Sequence, residues 1–143
     1  MEAVALADVL KFSEEELTLL TNTDSLEKAF EKVTALYPEK LIIVTLGKDG
    51  ALYHLEGKKD VISGKALQPV DTTGAGDAFM GAIHYQLRRK AAEDLRTLPA
   101  FELEEIVRFG NAAGSLTTTK GGAIPALPSM VEIQNCIASI PLM

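Results

Sequence analysis

The chain has 143 residues, the length of one ordinary domain, of which 47% are hydrophobic and 24% charged, a globular composition rather than a disordered one. Its formal net charge of −6 at pH 7 and pI near 4.9 exclude a broad basic surface for nucleic acid or an anionic membrane. Any phosphate that it holds must therefore be held locally, by backbone dipoles, a few lysines or a metal.

The first 70 residues predict short strands and two helices. Ser13 with Glu16, and Asp24 with Glu27, stand at the capping-box spacing that begins a helix. The run LIIVTL is apolar and rich in β-branched residues, which is typical of a strand covered on both faces. The strands are expected at residues 4–10, 41–46, 51–55, 61–63 and 66–70, with turns at 47–50 and 56–59 and the second helix ending at Tyr37-Pro38.

The second half of the chain predicts three helices. Phe79, Ile83 and Leu87 recur at helical spacing on the inner side of the first. The small residues of GNAAGSL, in the second, permit close approach to a neighbouring element or a ligand. The order of elements indicates one α/β domain without a linker. The helices are expected at about 77–89, 102–118 and, behind a capping box of Ser129 and Glu132, through Ile140, with a loop at 120–128.

Cysteine content and hydropathy indicate a cytoplasmic protein. Cys136 is the only cysteine, so no internal disulfide forms, which suits a reducing compartment. No apolar run approaches the ~20 residues that span a bilayer. The N-terminal segment carries Glu2 and Asp8 and lacks the basic start of a signal peptide, so we expect none.

The segment DTTGAGDAFMGA, residues 71–82, places two carboxylates, Asp71 and Asp77, around a turn of small residues ahead of a helix. The P-loop pattern G-x-x-x-x-G-K-[ST] is absent from the chain. The dinucleotide pattern G-x-G-x-x-G also fails, because Phe79 stands where its third glycine belongs. Neither of these phosphate-binding loops explains the segment.

A nest of backbone amides at the helix N-terminus fits the segment. Gly74, Ala75 and Gly76 present their amides with little side-chain bulk, where the helix dipole adds about half a positive charge. Such a nest suits the charge that spreads over a phosphoryl group during transfer, and Asp77 beside it could take a proton from an attacking hydroxyl. The alternative is a tight turn followed by an acid that complements the dipole. From these residues alone both interpretations stay open.

Several segments resemble the ribokinase/PfkB sugar-kinase family, in family order and over essentially the whole chain. DTTGAGDAFMGA resembles the specific C-terminal signature D-T-x-G-A-G-D of that family. SEEE, at 13–16, resembles its N-x-x-E motif, although Ser13 stands where many members have Asn. VTLGKDGALY, at 44–53, is similar to the nucleotide-binding segment, and 109–128 to the adenine- and cation-binding end. KFSEEEL and GAIPALP are most similar to bacterial fructokinases.

The resemblance implies an ATP-dependent phosphorylation of a sugar's primary hydroxyl, most similar to the conversion of fructose to fructose 6-phosphate. Asp77 would be the catalytic base, and the amides of Gly74, Ala75 and Gly76 would form the anion hole. The implied ATP-binding residues are Thr45, Gly47 and Gly50, with Asn111 and Gly114 near the adenine.

The resemblance also implies two metal ions. Glu16 would act through water on the Mg²⁺ that bridges the ATP phosphates. Because Ser13 stands where many family members have Asn, the geometry of this contact could differ from that of the family. The implied site for a monovalent cation, K⁺, consists of Asp71 and Thr73 with backbone carbonyls near Thr117, Lys120 and Gly122.

Family members are about twice as long as this chain, so the resemblance implies a ribokinase-like three-layer sandwich of which residues 1–143 are the C-terminal, nucleotide-binding portion. The sugar-binding half and its lid would be missing, as in a truncated product. We expect weak ATP binding, poor turnover and self-association through the uncovered sheet edge. The alternative function is a non-catalytic nucleotide- or phosphate-binding fragment that needs another chain to act.

Some residues that could act as metal ligands or nucleophiles are better explained by a structural role. His54 and His84 lack a third ligand at metal spacing, and Cys136 falls on the apolar face of a helix. Lys48 either approaches a phosphate or merely occupies a turn, and the sequence leaves both possible.

Overall fold

The computed structural model describes residues 2–65, 67–122 and 124–139, with the backbone alone at residue 92. In this part of the chain seven helices surround one sheet. The helices are α1 (Glu2–Leu6), α2 (Glu14–Thr21), α3 (Leu26–Leu36), α4 (Ala75–Leu87), α5 (Ala92–Arg96), α6 (Ala100–Thr117) and α7 (Met130–Ala138). The strands are β1 (Val9–Ser13), β2 (Leu41–Thr45), β3 (Ala51–Leu55) and β4 (Lys58–Ile62).

The sheet has the order β1-β2-β3-β4. Strand β1 runs parallel to β2, with Val9 opposite Leu41 and Ser13 opposite Thr45. Strands β2, β3 and β4 follow one another antiparallel. The carboxyl ends of the two parallel strands therefore meet at one edge, which is where α/β proteins commonly bind ligands.

Strand β2 is buried on both faces, as its sequence predicted. Ile42 and Val44 pack with α2 and α3, whereas Leu41 and Ile43 pack with α4 and α6 on the other face. A third cluster joins α4, α6 and α7. The mixed α/β fold with helices on both sheet faces is thus confirmed.

The strand predicted at residues 4–10 is wrong in its first part. Residues Glu2–Leu6 are helical and the strand begins at Val9. The buried ammonium of Lys40 donates hydrogen bonds to the carbonyls of Ala5 and Ala7, so it satisfies the free end of α1. This contact joins residues far apart in sequence and decides a local structure that the apolar pattern leaves ambiguous.

The remaining differences concern the ends of elements. The side chain that caps α3 is Ser25, not Asp24, which instead pairs with Lys28. The predicted turn at 56–59 shrinks to Glu56 and Gly57, both at positive φ as a tight hairpin requires. Strand β4 therefore begins at Lys58, and its charged residues face solvent at the edge of the sheet.

The helical half was predicted with shifted bounds. Helix α4 begins two residues before Asp77, α6 begins at Ala100, and the short α5 between them was not predicted. Residues 67–70 form no strand, while Ala66 and Ile140 lie outside the described residues. The capping boxes at Ser13 and Ser129 are both confirmed. Of the described helices, none combines the length and the apolar character that a membrane crossing demands.

Candidate active site

A cavity of about 410 Å³ lies where the end of β2 and the turn after it meet α4 and α6. It brings together residues that are distant in sequence, including seven of the predicted site residues. Those seven are Thr45, Gly47, Gly50, Ala75, Gly76, Asn111 and Gly114. The lining residues that the sequence did not single out as ligands are Lys65, Leu67, Pro69, Thr72, Phe79, Ser115 and Thr118, and Lys48 lines the cavity as well.

The turn after β2 depends on glycine. Gly50 has φ of 101°, and a Cβ on it would lie 2.0 Å from the carbonyl oxygen of Ile62. Only glycine can therefore bring this turn against β4. The close approach leaves the backbone of the turn along one wall of the cavity.

Two glycines let α4 pack closely on α6. A Cβ on Gly110 would lie 2.9 Å from Cε2 of Phe79, and one on Gly114 would lie 3.3 Å from the carbonyl oxygen of Ala75. The segment of small residues therefore serves helix packing and, through Gly114, the cavity wall. The sequence left these two uses open, and the structure combines them.

The N-terminus of α4 presents free amides beside the cavity. Gly74 adopts the left-handed conformation with φ of 80°. The Ala75 N–H donates to the Thr72 carbonyl at 3.3 Å, and the Ala78 N–H donates to Gly74 at 2.9 Å. The amides of Gly74, Gly76 and Asp77 find no acceptor among the described residues. The free set thus differs from the predicted one, because Ala75 closes the turn and Asp77 contributes its own N–H.

Asp77 is the third residue of α4. Its side chain is exposed and is not part of the cavity lining, to which Ala75, Gly76 and Phe79 contribute. The helical repeat sets Asp77 about 200° around the axis from Ala75. Asp77 therefore leaves the helix on a different side from Ala75.

Asp71 is held by backbone amides from two segments. Its Oδ1 accepts from the Thr73 N–H at 2.9 Å, and its Oδ2 accepts from the Gly122 N–H at 3.1 Å. Hydrogen bonding from the Thr73 side chain, then from the Thr73 and Gly122 amides, lowers the pKa of the Asp71 carboxyl. The carbonyl of Thr118 in turn accepts the N–H groups of Val70 and Asp71.

Three of the residues predicted around a monovalent cation thus come together: Asp71, Thr73 and Gly122. The other two, Thr117 and Lys120, were predicted through backbone carbonyls, which stay a prediction; their side chains have other partners, since the Thr117 hydroxyl donates to Ala113 and the Lys120 ammonium pairs with Glu132. Each oxygen of the Asp71 carboxylate keeps further acceptor capacity, which fits one ligand of a hard monovalent cation.

Glu16 is engaged in the capping box of α2. Its Oε2 accepts from the Ser13 N–H at 2.7 Å, and the residue does not line the cavity. Within the described ranges no group of three His, Cys, Asp or Glu side chains forms a metal cluster. The remaining oxygen of Glu16 fits a water-mediated contact to Mg²⁺, an ion that commonly keeps several waters and one or two protein carboxylates.

Asn111 has a structural contact that the sequence did not predict. Its buried amide donates to the carbonyl of Ile62 at 2.9 Å and so connects α6 to β4. Asn111 still lines the cavity. The Lys65 ammonium, at the same wall, donates to the Ser139 hydroxyl at 2.7 Å.

Lys11 reaches the mouth of α4, a position that the sequence analysis did not single out. Its ammonium nitrogen lies 3.0 Å from the position that a Cβ on Gly76 would take. The available signal was the alternation along β1, which sets Lys11 on the same face as Val9.

The two histidines and the cysteine, to which the sequence analysis gave a structural role, do not line the cavity. Burial lowers the pKa of His54 and raises the pKa of the Cys136 thiol, so both favour their neutral forms. His84 is exposed on α4.

The chain matches a known family of kinases in sequence. The model of the pfkB family of carbohydrate kinases matches residues 1–130. The chain belongs to the pfkB family. The fructokinase of Vibrio alginolyticus is 40% identical over 137 residues, which cover 96% of this chain and 43% of that protein. The chain therefore spans less than half the length of this pfkB relative.

Solved structures of pfkB-type kinases share the fold. The fructokinase of Vibrio cholerae O395, crystallised with fructose, ADP and calcium, matches with a TM-score of 0.85 and 42% identity over 96% of this chain and 43% of its own. A double mutant of that fructokinase holds fructose, ADP and potassium. Aminoimidazole riboside kinase from Salmonella enterica, with its riboside and an ATP analog, matches with a TM-score of 0.82 and 31% identity over 96% of this chain and 44% of its own. The fold is therefore that of the ribokinase-like kinases.

Proposed function

We propose that this chain is the ATP-binding part of a kinase that phosphorylates the primary hydroxyl of a small sugar, with fructose as the substrate. The observation that carries the proposal is the mouth of α4, where the free amides of Gly74, Gly76 and Asp77 stand beside a cavity of about 410 Å³. Membership of the pfkB family supports the reaction class. The fructose bound by a relative at 42% identity supports the choice of sugar.

In the proposed reaction, the two substrates approach the N-terminus of α4 from different sides. ATP occupies the cavity and the sugar approaches from the side of Asp77. The Asp77 carboxylate accepts the proton of the sugar hydroxyl while the hydroxyl oxygen bonds to the γ-phosphorus. The bond between the γ-phosphorus and the oxygen that bridges it to the β-phosphate breaks, which releases ADP. The free amides stabilise the charge on the phosphoryl oxygens during this transfer.

Two metal ions belong to the proposal. When bound, Mg²⁺ would neutralise charge on the ATP phosphates, and Glu16 would hold it through water. Asp71, Thr73 and Gly122 surround the proposed K⁺ site, which lies in the loop preceding α4. A cation there would counter the charge of Asp71 and support the shape of the loop.

The length of the chain bears on its activity. The chain covers 43% of a fructokinase that it matches, and positioning of both reactants can supply about 7–11 kcal/mol of the barrier to such a reaction. We therefore propose that the 143-residue chain alone binds ATP weakly and turns over fructose poorly. We also propose a cytoplasmic location, in which the thiol of Cys136 stays reduced.

The same length favours a second candidate function: a non-catalytic nucleotide-binding fragment that associates with another chain. The coding sequence upstream of Met1 distinguishes the two. An in-frame segment that matches the uncovered part of the family supports the kinase, whereas an unrelated gene or a stop codon supports the fragment.

Substitution of Asp77 tests the proposed base. In the chain, and in any longer coding sequence that contains it in frame, Asp77→Asn should lower fructose phosphorylation by a factor of about 10²–10⁴. ATP affinity, measured by calorimetry, should stay within about twofold, because Asp77 lies outside the cavity. Asp94→Asn is the matched control, since Asp94 is also an exposed acid in the first turn of a helix. Equal turnover of the two variants would refute the assignment of the base.

A further inference from the structure

Three carbonyl oxygens, at the end of α6 and in the loop after it (residues 118–122), accept no hydrogen bond from the described residues. They belong to Thr117, Lys120 and Gly122. Thr117 is fully buried, and a buried carbonyl without a partner is costly. A cation beside these oxygens and the Asp71 carboxylate would remove that cost, since backbone carbonyls can replace the hydration shell of K⁺.

The two ends of this loop are fixed against the segment of Asp71. At the start, the Thr118 carbonyl accepts the N–H groups of Val70 and Asp71 at 2.7 and 3.1 Å. At the end, the Gly122 N–H donates to Oδ2 of Asp71 at 3.1 Å. Between these contacts, the amide of Lys120 finds no acceptor among the described residues. The backbone contacts therefore leave the middle of the loop without an anchor.

The side chain of Lys120 supplies the contact that its backbone lacks. Its ammonium donates to Oε1 of Glu132 at 3.1 Å. Glu132 is itself held, because its Oε2 accepts the Ser129 N–H at 2.7 Å in the capping box of α7. Hydrogen bonding from the Ser129 amide, then from Lys120, lowers the pKa of the Glu132 carboxyl, so its charged form is favoured. The ion pair thus attaches the middle of the loop to the first turn of α7.

We propose that Glu132 is a positioning residue that acts through Lys120, so that α7 sets the affinity of the loop for a monovalent cation. This inference rests on the proposed K⁺ site, and it adds a residue that lies outside that site. With the ion pair in place, the Lys120 carbonyl is ordered before the cation arrives. Without the pair, cation binding must order this carbonyl, and that ordering lowers the affinity.

A purely electrostatic role for Lys120 predicts a different result. Its ammonium is positive and belongs to a residue two positions from Gly122, so its charge alone opposes a cation. Removal of that charge would strengthen K⁺ binding, whereas loss of positioning weakens it. The direction of the change in Lys120→Met therefore distinguishes positioning from charge.

Thermal unfolding at increasing KCl concentration tests the inference, with choline chloride keeping the ionic strength constant. The rise in melting temperature within each variant gives its K⁺ dissociation constant, so a general loss of stability does not count. Lys120→Met and Glu132→Gln should each raise this constant about two- to fivefold, as expected for an exposed ion pair. Glu132→Gln keeps an acceptor for the Ser129 N–H, so the capping box is retained. Lys120→Arg restores the pair and should keep the original constant.

The ion pair of Lys90 and Glu102 is the matched control. Its 3.3 Å separation and side-chain exposures of 37% and 36% resemble the 3.1 Å, 48% and 44% of the Lys120 pair. It lies at the opposite end of α6 from the loop, so Lys90→Met should leave the K⁺ dissociation constant unchanged. The double variant Lys120→Met/Glu132→Gln should bind K⁺ no more weakly than either single variant, because both changes remove one contact.

Each outcome bears on either the positioning role or the cation site. If K⁺ stabilises the unaltered chain and Glu132→Gln and Lys120→Met keep its dissociation constant, the positioning role is refuted and the site stands. Stronger K⁺ binding by Lys120→Met also refutes positioning, in favour of charge alone. If KCl stabilises the folded, unaltered chain no more than choline chloride does, the proposed cation site fails, and the role of Glu132 fails with it.

Discussion

Asp71 and Asp77 flank the same turn and have opposite surroundings. Both oxygens of Asp71 accept backbone N–H groups, which stabilise the charged form. Asp77 is exposed at the third position of α4 and does not line the cavity. The first carboxylate is therefore suited to a fixed negative charge, whereas the second accepts no hydrogen bond from the described residues, which leaves it available for the proposed role of the base.

His54 makes stability depend on pH. Its ring is buried against Phe30, its Nδ1 has no hydrogen-bond partner among the described residues, and burial lowers its pKa. A histidine with a lowered pKa in the folded state binds fewer protons than in the unfolded chain. The free energy of unfolding should thus fall as pH drops through about 6.5, the ordinary value of histidine.

Thermal unfolding between about pH 7.5 and about pH 5.5, an interval that brackets the ordinary pKa of histidine, measures this effect. His54→Leu should flatten the decline in melting temperature. The exposed His84 supplies the control, and His84→Gln should leave the decline unchanged. A decline of equal slope in the chain and in His54→Leu would contradict the prediction.

The pairing of α4 with α6 is the element-scale feature that builds the site. It sets the free amides beside the cavity, and it depends on glycines that admit Phe79 and the backbone of Ala75. Lys40 provides a comparable long-range constraint at the other end of the chain, where it satisfies the last carbonyls of α1. In both cases a contact between elements decides what the local sequence leaves open.

Gly110→Ala tests the packing of the two helices. The new Cβ would lie 2.9 Å from Cε2 of Phe79 and 3.0 Å from Cδ1 of Ile83, and such overpacking costs about 1–3 kcal/mol. Gly81→Ala is the matched control on the exposed side of α4, where a Cβ meets nothing within 4 Å. It should stabilise the helix by up to about 1 kcal/mol. Urea unfolding should show that Gly110→Ala lowers the free energy of unfolding relative to the unaltered chain, whereas Gly81→Ala raises it. A stabilised Gly110→Ala would show that the helices can separate at no cost.

At the scale of the whole molecule, the described structure has an open sheet edge. Strand β1 pairs with β2 on one side only, whereas the other edge strand, β4, carries exposed charges that hinder pairing. Several large apolar side chains are also exposed, among them Leu6 and Leu19. Since a matched fructokinase is more than twice as long, we expect its additional residues to cover such surfaces.

Self-association of the isolated chain follows from this open edge. Sedimentation velocity over a range of protein concentrations should show mass above the 15.3 kDa of one chain, increasing with concentration. A single monomeric species at every concentration would contradict the expectation, and would indicate that the β1 edge is protected in another way.

The local signals in the sequence were sufficient for much of the fold. The buried run of β2, the hairpin after it and the capping boxes at Ser13 and Ser129 were correctly predicted, because each depends on residues close together in the chain. The first part of the strand predicted at residues 4–10 was wrong because an apolar run of that length suits a helix or a strand, and Lys40 decides between them. The cap at Ser25 shows the usual uncertainty of one residue where Asp and Ser are adjacent.

The sequence by itself determined the family motif, the α/β class and seven of the fifteen residues that line the cavity, since glycine turns and helix caps act through neighbours in the chain. Only the tertiary structure decided that Asn111 connects α6 to β4 and that Lys11 reaches the helix mouth. These contacts join β1, β4, α4 and α6, and their physical cause is the packing of the sheet against the helices. No spacing along the chain encodes that proximity.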